Sequence, residues 1–138
     1  MTQEEKQLLL KDLCMRIQHR TFVCLNPGAY NKPETCILTG IHGEKVHLNV
    51  DSDPFRINNI RPYLRPMSSM TEEEKKVVCS MNMISDTELN DRLNYQKMYL
   101  QNYTIETFDY FNEHHLDYRG LIPMGLALEA KEEMYKNE

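Results

Sequence analysis

The spacing of apolar residues changes period twice along this chain, and that change constrains the fold more than any other feature. Up to about Gln18 the apolar positions recur at helical spacing, between Arg20 and Pro66 they alternate, and from Met67 onward helical spacing returns. The order implies an α+β fold: an N-terminal helix, a small antiparallel β-sheet or SH3-like barrel, and a helical C-terminal half. Residues 1–66 and 67–138 are the two regions, packed on each other as one unit.

Thr2 and Glu5 form a capping-box pattern, in which hydroxyl and carboxylate each satisfy a free backbone N–H. Leu9, Leu10, Leu13, Cys14 and Ile17 then make one apolar face, while Lys11 and Arg16 fall off that face or towards the helix end, where positive charge suits the dipole. Residues 21–26, 34–41 and 45–50 read as strands. Asn26-Pro27-Gly28 is a turn signal, followed by a polar loop to Pro33 with Tyr30 at its middle. In the third strand Val46, Leu48 and Val50 point to the core and Lys45, His47 and Asn49 away from it. His42-Gly43 fits a two-residue type I′ hairpin turn. Residues 55–64 carry Phe55, Ile57, Ile60 and Leu64 as anchors, and Pro62 and Pro66 exclude a helix there.

Thr71–Glu74 and Ser85–Glu88 repeat the capping box. Val77, Val78, Met81 and Ile84 form the stripe of the first C-terminal helix. Leu89, Leu93, Leu100 and Tyr103 share a face after it, but residues 86–103 stay open between helix and strand. Alternation over 93–101 competes there, and Asn82, Asn90, Asn94 and Asn102 weaken helix propensity. Thr104 caps a further helix with Ile105, Phe108, Phe111 and His115 or Leu116 inward, stopped by Gly120 and Pro123. Leu121, Ile122, Leu126 and Leu128 are expected to be buried, and a short helix is expected over 126–135.

Of the 138 residues 41% are hydrophobic and 9% aromatic, with no Trp, so the core is modest; 27% charged residues with few Gly and Pro argue against disorder. No run approaches the roughly 20 apolar residues that span a bilayer. There is no basic start followed by an apolar stretch, as a secretory signal requires. A cytoplasmic protein is therefore expected. Cys14, Cys24, Cys36 and Cys79 contain no C-x-x-C pair, which favours free, buried or half-buried thiols over disulfides or zinc. Nucleophile elbows, phosphate loops and zincin motifs are absent, so neither an enzyme nor a cofactor is expected.

The net charge of −5 is uneven: residues 1–66 hold 9 basic against 7 acidic side chains, and residues 67–138 hold 7 against 14. The halves either face each other or face different partners. The acidic total argues against general nucleic-acid binding by the whole chain. Three constellations remain. Arg61, Tyr63 and Arg65 alternate, so an extended backbone puts two cations and a ring on one face, as single-stranded nucleic acid would need; Arg56, His19, Arg20 and Lys45 add to this basic region. The strip docking on the acidic helical half is the competing reading. Asp117, Tyr118 and Arg119, before Gly120, could clamp a carboxylate or phosphate. They could equally form a helix end, with Gly120 left-handed and Arg119 paired to Asp109 or Asp117. His114, His115 and Asp117 are the densest potential metal ligands, against a dipole-favoured pair of histidines at a helix end. Met67, Met70, Met81 and Met83 either form an adaptable apolar surface or fill gaps in the core.

Three segments carry a resemblance: MTQEEKQLLLKDLC at residues 1–14, IRPYLRPMSSMTEEE at 60–74 and LDYRGLIPMGLALEA at 116–130. With them the chain resembles a family of short proteins found in gut anaerobes and in their phages and prophages, to which no activity is assigned. In such relatives Ala130 is usually followed by Pro, where this chain has Lys131. The resemblance implies a cytoplasmic accessory protein of a mobile element, and it transfers no catalytic residue. The expected function is non-enzymatic binding of a protein partner, including a phage accessory role acting on a host protein. The alternatives are a nucleic-acid-binding module through Arg61, Tyr63 and Arg65, and a metal-dependent enzyme through His114, His115 and Asp117.

Overall fold

The computed structural model describes residues 1–25, 33–95 and 100–136. Helix α1 (Gln3–Cys14) starts as expected: the Glu5 N–H donates to Thr2 Oγ1 at 3.1 Å and the Thr2 N–H donates to Glu5 Oε1 at 2.8 Å. It ends before Gln18, giving way to a 3-10 turn over Ile17–His19, and a left-handed Arg20 (φ 52°) redirects the chain into the sheet.

The strands are β1 (Phe22–Leu25), β2 (Glu34–His42), β3 (Lys45–Leu48), β4 (Phe55–Arg56), β5 (Ile60–Leu64) and β6 (Leu128–Glu129). They form one sheet in the order β4-β3-β2-β1-β5-β6, antiparallel except for β5 with β6. The sheet is open, with β4 and β6 at its edges. A register shift between Leu38 and Gly40 lets the first half of β2 pair with β1 and the second with β3. Such a bulge bends the strand. A 3-10 turn (Ile57–Asn59) joins β4 to β5.

Two expectations about the hairpin region change. His42 pairs with Lys45, so the turn is Gly43-Glu44, and only Gly43 of the two takes a positive φ (63°). Val50 is 37% exposed, unlike Val46 and Leu48. The chain leaves β3 at Asn49, whose N–H and side-chain carbonyl both engage Ile37, and Ser52 N–H closes a turn on Val50 O before Val50 can reach the core.

The helical part consists of α2 (Glu72–Asn82), α3 (Asp86–Asn94) and α4 (Ile105–Glu113), with 3-10 turns at Met67–Ser69 and Leu100–Asn102. The helix-or-strand ambiguity resolves as helix through Asn94; the competing strand falls partly on residues 96–99, outside the described residues. Thr71, Ser85 and Thr104 each cap a helix with their side-chain oxygens. Val77 and Ile105 are exposed rather than inward. Ile105 is the first residue of α4, preceding the turn whose face meets the core. Nor do Gly120 and Pro123 stop α4. His115 adopts φ 60°, and the chain turns out of the helix there, five residues earlier. The expected helix over 126–135 is absent because residues 128–129 join the sheet: Tyr63 pairs with Leu128, and the Ala130 N–H donates to Leu64 O at 2.8 Å.

The core has two clusters. One lies between α1 and the sheet, around Leu9, Leu13, Val23, Leu38, Val46, Ile60 and Leu64, and takes in Leu121, Leu126 and Ala127. The other joins Met67, Met70, Val78, Leu89, Phe111, Leu116 and Tyr118 among the helices. Residues 116–127 thus serve both. Leu121 and Leu126 are buried as expected, while Ile122 and Leu128 are only half-buried. Cys24, Cys36 and Cys79 are buried, but Cys14 is exposed. No described helix is long and apolar enough to cross a membrane.

Candidate functional site

Asp12 and Arg16 stand four residues apart at the end of α1, and both are fully shielded from solvent. Arg16 Nε donates to Asp12 Oδ2 at 2.8 Å, and its Nη2 donates to Asp12 Oδ1 at 3.2 Å and to Leu116 O at 2.8 Å. Arg119 Nε reaches the same carboxylate at 3.2 Å. The guanidinium carbons of Arg16 and Arg119 lie 5.2 and 5.1 Å from the centroid of the Tyr118 ring, whose hydroxyl bonds Asn112 Oδ1 at 2.9 Å. Cation–π contact gains strength where, as here, water is excluded. Arg119 therefore pairs with Asp12, not with Asp109 or Asp117 as the helix-end reading had it.

Asp117 has a different task. Its carboxylate accepts from the backbone N–H groups of Leu121 (2.8 Å) and Ile122 (2.9 Å), ordering the turn that carries Leu121 into the core. Burial pushes its carboxyl above the usual carboxylate range, against the pull of those two N–H groups. The backbone on either side bridges to β5: Arg65 N–H donates to His115 O at 2.7 Å and Asp117 N–H to Arg65 O at 2.8 Å.

The Arg65 guanidinium makes a two-pronged pair with Glu74, 2.8 and 2.7 Å, and also donates to Ser69 O and His114 O. The hydrogen bonds from Arg65 hold the Glu74 carboxyl down at about 2. Through Arg65 the basic strip meets one acidic side chain of the helical half. Arg61 donates to Gly125 O and Ile60 O, and Tyr63 is buried, with the Lys131 ammonium 5.8 Å from its ring centre. The three residues proposed for nucleic acid thus have intramolecular partners.

The two histidines diverge, as neighbours leaving a helix must. His114 Nδ1 is 3.5 Å from Glu74 Oε2. His115 is buried, stacked on Tyr135 at 3.7 Å between ring centres, with Thr21 Oγ1 3.5 Å from its Nδ1. Burial, then the Arg16 charge, lowers its pKa to about 3. Among the described residues no three His, Cys, Asp or Glu side chains come together as ligands for a metal ion. A cleft of about 440 Å³ lies beside this junction, lined by Arg65, Ser69, Glu74, His114, Lys131 and Tyr135 among others.

Sequence reasoning missed Asp12, Arg16, Glu74 and Tyr135. Two signals could have found the first pair: the i,i+4 spacing of opposite charges, and a helical azimuth close to that of Leu9 and Leu13, which reading Arg16 as off that face overlooks.

The α2–α4 junction holds a further arrangement. Asn82 accepts from the Thr104 N–H at 3.0 Å and donates to Thr107 Oγ1 at 2.8 Å, fixing the end of α2 against the start of α4. Met83 follows Asn82 with φ 54° and is 93% exposed, and Ile105 follows Thr104 and is 81% exposed.

No protein-family model matches this chain, and neither a curated protein nor a solved structure matches it.

Proposed function

We propose that the protein is a non-enzymatic interaction module that binds another protein at the apolar corner made by Met83 and Ile105. The observation that carries this reading is Met83. A non-glycine residue in the left-handed region costs roughly 1–2 kcal/mol, and glycine is the usual residue at that position after a helix. Here a long, adaptable thioether is held there with 93% of its surface in water. Core packing does not account for it, whereas presentation to a partner does. The polar residues that suggested chemistry have partners within the fold, Arg65 with Glu74, Asp117 with the Leu121 and Ile122 N–H groups, Tyr118 with Asn112, Arg119 with Asp12 and His115 with Tyr135, which favours binding over catalysis.

The scaffold fits the same reading. The order β5-β1-β2-β3-β4, with a 3-10 turn between β4 and β5, supports an SH3-like arrangement of the first five strands, a fold that hosts many binding functions. The resemblance to proteins of gut anaerobes and their phages extends the proposal to a cytoplasmic accessory factor acting on a host protein.

Affinity capture from the native cytoplasm with mass spectrometry tests it, comparing the wild type with a Met83→Glu/Ile105→Glu double variant. A protein retained by the wild type and lost with the double variant, at an unchanged unfolding midpoint, is expected. The same proteins retained by both, or none retained by the wild type, would refute it.

A further inference from the structure

The two stretches that carry the Met83–Ile105 corner hold carboxylates and no cation. Residues 77–91 contain Asp86, Glu88 and Asp91, residues 104–113 contain Glu106, Asp109 and Glu113, and neither has a lysine, arginine or histidine. All six of these acidic residues are exposed. Glu88 pairs with Arg92 at 3.3 Å; among the described residues the other five have no ion-pair partner within 4.0 Å. Asp86 opens α3, three residues beyond Met83. Glu106 is next to Ile105, and Asp109 and Glu113 follow Ile105 at spacings of four, which stacks them along one face of α4. On α2 the same spacing puts Glu73, Val77 and Met81 in one row. Val77 is 38% exposed, and Met81 is half-buried with its Sδ 4.0 Å from Thr107 Oγ1, so this apolar row runs to the first turn of α4. Lys75 and Lys76 precede Val77 but point off the row, at about 200° and 100° around the helix.

Resting on the interaction-module reading, we infer that the corner takes a basic amphipathic helix of another protein. Apolar side chains bordered by unpaired carboxylates disfavour every anionic surface. That removes a nucleic-acid backbone and an anionic bilayer. It also removes a second copy at the same corner, which would set the same carboxylates against themselves. A cationic helix answers both features of the surface. Its apolar residues at i, i+3, i+4 and i+7 cover Val77, Met81, Met83 and Ile105. Its lysines and arginines lay their stems along the same row and carry their charges to the acids on either side. The carboxylates then set encounter rate and partner choice, while the apolar row supplies the hold.

The test titrates the full chain with an amphipathic leucine–lysine helical peptide, its scrambled isomer and a leucine–glutamate counterpart, read by anisotropy and amide shifts. Three proteins are compared: the wild type, Met83→Ser/Ile105→Ser and Glu106→Gln/Asp109→Asn. Serine is used because glutamate at the corner would itself attract the cationic peptide. The wild type should bind the leucine–lysine peptide about ten-fold more tightly than the scrambled isomer, with shifts gathered at residues 77–86 and 104–109, and should not bind the leucine–glutamate peptide. Each variant should bind about ten-fold more weakly, and the carboxylate variant should lose much of the salt dependence. The changes are on exposed side chains, so the unfolding midpoints should stay close to that of the wild type. No binding by the wild type, equal binding of the scrambled isomer, or equal binding by either variant overturns the inference. The affinity capture separates this from the reading it rests on. A captured protein lost with Met83→Glu/Ile105→Glu that presents an acidic surface upholds the interaction module and overturns the basic helix; capture unchanged by that variant overturns both.

Discussion

Arg119 Nε lies 3.2 Å from Asp12 Oδ1 across 107 residues of chain, so the C-terminal turn is tied to the first helix through one buried carboxylate. Arg16 holds the same carboxylate and also bonds the Leu116 carbonyl. One acid and two bases thus fasten α1 to the segment that enters both core clusters. Breaking a buried pair is far costlier than never having had it, since the surviving charge is stranded. Asp12→Ala should therefore lose about 3–5 kcal/mol in urea unfolding. A loss below about 1 kcal/mol would mean that the Arg16 guanidinium finds solvent in the variant.

Leu121 and Leu126 anchor that segment under the sheet. Truncating either to alanine should cost about 2–5 kcal/mol, according to how far the site collapses. Arg119→Ala should lower stability and partner capture in proportion. If it abolished capture at an unchanged unfolding midpoint, the Asp117–Gly120 turn would be the recognition site in place of the Met83–Ile105 corner.

Met83 offers a substitution of opposite sign. Met83→Gly removes a left-handed strain while giving up almost no buried surface, and should stabilise the protein by about 0.5–1 kcal/mol. The same variant should weaken partner capture. A gain in stability with full capture would show that the methionine side chain is not what the partner reads.

How much of this was legible in the sequence depended on the range of the interaction involved. The boxes at Thr2–Glu5 and Thr71–Glu74 are local and formed as read, as did the alternation that buries Val46 and Leu48. From the sequence Arg16 reads as lying off the apolar face or towards the helix end, where positive charge suits the dipole. It is buried because Asp12, Leu116 and Tyr118 together replace water, and two of those three lie about 100 residues away. β6 was illegible for the same reason, since two residues become a strand only against β5. The end of α4 was misplaced because a left-handed His115 did what the glycine five residues later was expected to do. The site residues Arg61 and Arg65 were named from spacing alone, which says nothing of the carbonyls and the Glu74 carboxylate that occupy them.

His115 and Glu74 together set the acid limit of stability. Burial and the Arg16 charge hold His115 near 3 in the folded protein, against an ordinary 6.5. Between those values the unfolded chain binds the proton that the folded chain refuses, so stability falls as pH drops below about 6.5. The slope approaches about 1.4 kcal/mol per pH unit while that difference is complete. Glu74 adds a second loss at lower pH. Its carboxyl sits at about 2 against an ordinary 4.5, so the stability from its Arg65 pair is whole above 4.5 and disappears as pH falls towards 2. Urea unfolding from pH 7.5 to 3 should therefore show a decline that begins near 6.5 and steepens below 4.5. His115→Gln should flatten the upper part of that decline and leave the lower part in place. A wild-type profile already flat between 6.5 and 4.5 would mean that His115 takes up its proton without leaving the fold, and that the stack on Tyr135 opens to admit it.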